Sequence, residues 1–172
     1  MIINKLILCQ MVIDTIKGHG WEAAHDEYCR AHGVDYHYDA YGSDHKRVVL
    51  IDLRGYIAEL AFADALGDLK YEYRDFVEND AKTAGKIDFK IDDNEIEVKT
   101  TQFAQPYYKK THMANTVFTF TNITLNENLE LEWNGSFAVR GQIPSEINTK
   151  SLQESIQDIC SQVGVKYVTR GF

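Results

Sequence analysis

The sequence predicts a single mixed α/β domain, with a mixed central β-sheet flanked by helices and a helical extension at its N-terminus. Three observations predict it. Apolar residues recur at helical spacing near both ends and around residues 53–66. Runs rich in β-branched and aromatic residues alternate in the remainder, at 85–101, 116–125, 129–142 and 165–169. Finally, 172 residues with two prolines, no internal repeat and no low-complexity stretch offer one hydrophobic core and no linker.

The elements follow in order. Residues 2–17 carry a helical apolar pattern closed by Gly18 and Gly20, and residues 21–33 form a second helix stopped by Gly33. Residues 34–47 are polar and aromatic and read as a loop, so 1–46 form the helical extension with its loop, and 47–172 the α/β core. A third helix is best supported from Leu53 to Leu66, with Gly67 at its stop. Residues 105–115 read as a loop or short helix, 116–125 as one strand, 129–142 as two more, 151–164 as a helix and 165–169 as a last strand, all around one central sheet.

The stretch GKIDFKIDDNEIEVKTT, residues 85–101, reads as a β-hairpin turning at Asp92-Asp93-Asn94. Alternation sets Ile87, Phe89 and Ile91 on one face and Lys86, Asp88 and Lys90 on the other. In the second strand Ile96 and Val98 face opposite to Glu95, Glu97 and Lys99. A two-residue loop at Asp92-Asp93 sets Asp88 directly across from Glu97, whereas a three-residue loop shifts the register.

Composition narrows the function classes. Three widely spaced cysteines form neither a disulfide framework nor a four-thiolate site, and fit a reducing, cytoplasmic setting. The N-terminal segment has no cleavage signal and no stretch approaches a membrane span. A net charge of −8 argues against a surface generally coated by nucleic acid, but residues 82–110 are net +1 and the remainder −9. No nucleophile-elbow or phosphate-loop motif is present, and DFKIDDNEIE lacks the ligand order and central glycine of a calcium loop. His25, Cys29 and His32 sit at helical spacing without an evident fourth ligand and fit ordinary packing.

A cross-strand set of charges is what a wet hairpin face commonly shows, so Asp88, Glu97 and Lys99 alone fit a solvated surface. Glu59 alters that reading. Its helical neighbours Gly55, Tyr56, Phe62, Ala63 and Leu66 are apolar or small, which buries the carboxylate. A buried carboxylate must be protonated, paired with a cation or turned to a metal site.

Glu59 on a helix, then Asp88, then Glu97-Val98-Lys99 resembles the PD-(D/E)xK superfamily of restriction-endonuclease-like nucleases, which includes restriction enzymes, Holliday-junction resolvases and recombination and phage exonucleases. The resemblance spans about residues 53–102, with Ile87 where the family name has proline. It implies a restriction-endonuclease-like core and metal-dependent hydrolysis of DNA, with endonuclease action favoured. Asp88 and Glu97 would hold Mg²⁺, or Mn²⁺, with the Val98 carbonyl, and Glu59 would bind directly or through water. Lys99 would position the attacking water and stabilise charge on the phosphate. Gln102, Thr101, Lys109 and Lys110 are candidate substrate contacts, and a homodimer is common among such enzymes. The alternative, from another class, is a non-catalytic binding or regulatory protein on the same fold that meets basic protein partners through its acidic surface.

Overall fold

The computed structural model describes residues 3–33, 44–77, 87–108 and 114–169. The chain begins with a two-residue strand, β1 (Ile3–Asn4), and turns directly into α1 (Lys5–His19). The first helix starts later than its apolar pattern because Asn4 caps it, accepting hydrogen bonds from the amides of Leu6 and Ile7. Gly20, at φ +92°, turns the chain into α2 (Trp21–His32).

Helix α3 runs from His45 to Ala65, about two turns longer at its N-terminus than the apolar pattern predicts. Asp44 is the reason: its side chain accepts from the Arg47 amide at 3.2 Å and nucleates the helix inside the segment read as loop.

Short strands β2 (Glu72–Tyr73) and β3 (Phe76–Val77) follow, then the hairpin of β4 (Phe89–Ile91) and β5 (Asn94–Thr100). Asp92 takes φ +54°, and the pairing Ile91↔Asn94, Lys90↔Glu95, Phe89↔Ile96 is the two-residue-loop register. The single strand expected over 116–125 is two, β6 (Thr116–Phe120) and β7 (Ile123–Leu125). Asn122, at φ +53°, breaks it, and Ser136 ties the break down, its hydroxyl bonded to that of Thr121 and accepting from the Asn122 side-chain Nδ2. Strands β8 (Glu130–Trp133) and β9 (Phe137–Arg140), helix α4 (Thr149–Val163) and strand β10 (Lys166–Val168) complete the described chain.

The fold is mixed α/β, but the strands divide among three sheets where the pattern predicts one. The central five-stranded sheet has the order β2-β4-β5-β6-β9 and is mixed, with β5 and β6 parallel and the other pairs antiparallel. The bend at Asn122 sends β7 out of it to join β8 and β10 in a second sheet, and β1 pairs with β3 alone. Periodicity reports that a strand exists and not which sheet it joins.

Helix α3 lies on the central sheet, where Phe62 packs between Phe89 and Phe118 at ring separations of 4.9 and 5.1 Å. Helices α1 and α4 pack against α3, and Leu8, Cys9, Val12 and Ile13 of α1 join the same core as Leu152 and Ile156 of α4. The first helix is thereby held beside the central sheet, and the residues at its start reach the ends of β2 and β4. Among the described residues no helix is long and apolar enough to cross a membrane.

Candidate active site

Glu59 is buried, as its helical neighbours require, and the cation that meets it comes from α1 and not from the hairpin. Lys5 Nζ donates to Glu59 Oε1 at 2.6 Å. Only 2% of Lys5 is exposed, and its ammonium also lies 5.6 Å and 5.2 Å from the ring centres of Tyr56 and Tyr73. Strand β1 and the start of α1 are fixed by neighbours of Tyr73: the Lys5 amide donates to the Asp75 carbonyl, and Asn4 Nδ2 to Asp75 Oδ2 at 2.8 Å. The rule that singled out Glu59 also singles out Lys5, whose helical neighbours Leu8, Cys9 and Val12 are apolar. Sequence reasoning passed it over because it stands at a helix start, where a polar residue reads as exposed.

Asp88 is the second buried carboxylate. It stands just before β4, where continuation of the hairpin register sets it opposite Glu97. Its Oδ2 accepts the Val98 amide at 2.8 Å, and Arg74 reaches Oδ1 at 3.5 Å while its amide donates to the Asp88 carbonyl. In an extended strand a residue's N–H and C=O point to the same side, so the Val98 carbonyl is directed to the strand edge beside Asp88. Arg74, like Lys5, carried no signal in the motif.

Glu97 and Lys99 form the exposed half. They alternate away from the buried Ile96 and Val98, and Lys99 Nζ meets Glu97 Oε1 at 2.8 Å with nearly half of the lysine side chain in solvent. The structure therefore has a buried group, Lys5, Glu59 and Asp88, joined by the half-buried Arg74, and an outer pair, Glu97 and Lys99. Among the described residues no three Asp, Glu, His or Cys side chains come together as a metal-holding group. What the strands do supply is a smaller set of hard oxygens. Asp88 and Glu97 stand across the hairpin with the Val98 carbonyl between strands, and Asp88 Oδ1 keeps lone pairs beyond its long contact to Arg74. Such a set fits a magnesium-type ion, which takes one or two carboxylates and keeps several waters.

Burial sets the electrostatics. It pushes Glu59 up from 4.5 to about 7, with the neighbouring Asp88 charge adding to the rise and Lys5 opposing it. Asp88 is also raised, by burial first, against the Val98 amide and the cations Lys5, Arg74 and Lys99. A carboxylate whose folded-state value is raised contributes stability that is complete below its unfolded value and lost as pH climbs through the folded one. Stability of the metal-free protein, followed by urea unfolding, is therefore expected to drop by about 3 kcal/mol between pH 4.5 and pH 8 on account of Glu59. In Glu59→Gln this slope should flatten.

Thr101 and Gln102 lie just beyond β5, where the amide of Thr101 donates to the Phe120 carbonyl and its own carbonyl accepts from Ile123. Both line a cleft of about 570 Å³ that also takes in Lys46, Arg47 and Arg54 of α3 and Phe103. Lys109, Lys110 and the aromatic loop at 36–41 lie outside the described residues. His25, Cys29 and His32 are buried in packing: His32 contacts the Tyr28 carbonyl and the Tyr56 hydroxyl, and Cys29 Sγ lies 3.6 Å from His25 Nε2. No family model, curated protein or solved structure matches the chain.

Proposed function

We propose that the protein is a divalent-metal-dependent nuclease that hydrolyses phosphodiester bonds in DNA on a restriction-endonuclease-like core. The observation that carries the reading is Asp88. A carboxylate is held in a costly buried position by a backbone amide from the very strand that bears Glu97 and Lys99. A solvated hairpin face has no use for that arrangement. The neighbouring Glu59 doubles the expense, since two raised carboxylates share one buried region.

Asp88, Glu97 and the Val98 carbonyl would hold Mg²⁺ or Mn²⁺, which supplies Lewis acidity and a bound water of lowered pKa. Lys99, half in solvent and anchored on Glu97, can turn its ammonium to a phosphate oxygen and stabilise the charge that develops there. The Val98 amide fixes the Asp88 carboxylate, and Arg74 fixes the backbone at Asp88, so the acid does not have to be ordered during reaction. Glu59, already bonded to Lys5, acts at one remove by keeping a second negative charge near Asp88.

The test is incubation with supercoiled, linear, single-stranded and four-way-junction DNA in magnesium, manganese or chelator. Metal-dependent cleavage is the expected result, together with a rise in Tm on adding the metal alone. Absence of cleavage from a folded protein on every substrate defeats the reading. One observation favours a second reading, that of a non-catalytic binding or regulatory protein. Glu59 already has its cation in Lys5, which is how a purely structural ion pair looks. That protein would bind a basic partner, gain no stability from metal and keep its binding in Lys99→Ala.

A further inference from the structure

Phe103 is displayed to solvent on a rigid mount. Its side chain is 65% exposed, yet the backbone around it is tied to the sheets on several sides. The Phe103 carbonyl accepts the Asn122 amide at 3.0 Å, its amide donates to Thr101 Oγ1 at 3.2 Å, and Thr101 is bonded to both Phe120 and Ile123. A large apolar ring set in water on a tied backbone is not a packing accident of a loose loop. Tyr107, 85% exposed, follows four residues later.

The ring stands at a cleft whose opposite wall is cationic. Lys46, Arg47 and Arg54 come from α3, and the cleft runs to Thr100, one residue past Lys99. Arg54 forms its inner wall, bonded to Thr100 Oγ1 and the Ile123 carbonyl, and so links α3 to the end of β5. Two acids also line it: Asp44 caps α3, and Glu127 meets Lys46 at 3.3 Å in an exposed pair of the kind that is easily exchanged. Among the described residues that line the cleft, three cations stand against two acids, on a chain of net charge −8.

A cationic groove with an aromatic at its lip is the pairing that binds single-stranded nucleic acid, where phosphates track the cations and a base stacks on the ring. At about 570 Å³ the cleft has the size of a small-molecule site and not of a duplex-wide surface. We propose that the cleft between α3 and the Thr100–Phe103 segment binds a single DNA strand, stacking an unpaired base on Phe103 at the end of the strand that carries Glu97 and Lys99. This specifies the substrate of the nuclease proposed above and rests on it for its link to cleavage, though not for binding itself.

The experiment measures fluorescence anisotropy of a labelled twelve-residue oligothymidine and of a labelled duplex, in chelator so that nothing is cut. The wild type is expected to prefer the single strand. Phe103→Ala should weaken that binding about tenfold, with Tm unchanged because the ring is exposed, and Phe103→Trp should retain it. Lys46→Ala should reduce the salt slope by about 0.7. Wild-type affinity in Phe103→Ala, equal or tighter binding of duplex, or no binding by the wild type overturns the proposal. A parallel cleavage assay in magnesium separates the two ideas. Strand binding that depends on Phe103 without cleavage keeps the cleft and removes the nuclease, and cleavage with a Phe103→Ala protein that binds normally does the reverse.

Discussion

Lys5→Ala is expected to lower the unfolding free energy by about 3–5 kcal/mol at pH 8, the cost of stranding one member of a buried ion pair. Lys5 has three partners to lose at once: the buried Glu59 carboxylate at 2.6 Å and the faces of the half-buried Tyr56 and Tyr73. The sign of the pH effect distinguishes this from simple loss of packing. Glu59 already titrates near 7 with the lysine in place, so without it the acid must take up a proton or remain charged in an apolar setting. The penalty should therefore be large at pH 8 and shrink by pH 5, where Glu59 is protonated in either protein. The double variant Lys5→Met, Glu59→Gln should recover much of the loss, since it removes both charges. Urea unfolding at the two pH values measures it, and a penalty that does not vary with pH would falsify the ion-pair account.

Lys99→Ala is expected to cut the cleavage rate by about 10²–10³-fold without altering Tm. Among the described residues its ammonium pairs with Glu97, and nearly half of its side chain is in solvent, where such a pair adds little stability. Asp88→Asn should be as damaging to turnover but milder to structure than Asp88→Ala, because an amide oxygen can still accept the Val98 hydrogen bond. Alanine there leaves a buried amide without its acceptor, at a cost of about 1–3 kcal/mol. Single-turnover cleavage together with thermal melts gives both quantities. Activity that survives in Lys99→Ala would move the assignment to the non-catalytic binding protein.

The helices and the hairpin were legible because their signals are local. Alternation sorted the two faces of the hairpin and left two registers, of which the structure adopts the two-residue turn, and the stripe around Glu59 announced its burial. The groups that complete the site came from elsewhere in the chain. Lys5 meets Glu59 across 54 residues and Arg74 meets Asp88 across 14, and no spacing rule reaches contacts made by tertiary packing. The same holds for the sheet. The break at Asn122 has a local cause, but the departure of β7 into another sheet depends on Ser136, which lies 14 residues further on. Helix α3 starts ahead of its apolar pattern for a plainer reason: the Asp44 cap begins it within a polar stretch that carries no helical periodicity.

The bond from the Val98 amide to the Asp88 carboxylate makes that one proton a spectroscopic reporter. Its NMR resonance is expected to move when Asp88 gains or loses a proton, and to move again when any cation displaces Arg74 from the other oxygen. A single amide peak, followed through a pH series and then through a magnesium series, would read out acid and ligand at one atom without a substrate, a label or an activity assay. An amide buried in a strand exchanges with solvent only through larger openings of the fold. The same peak would therefore also show, by its rate of loss in heavy water, whether occupying the site stiffens the whole sheet.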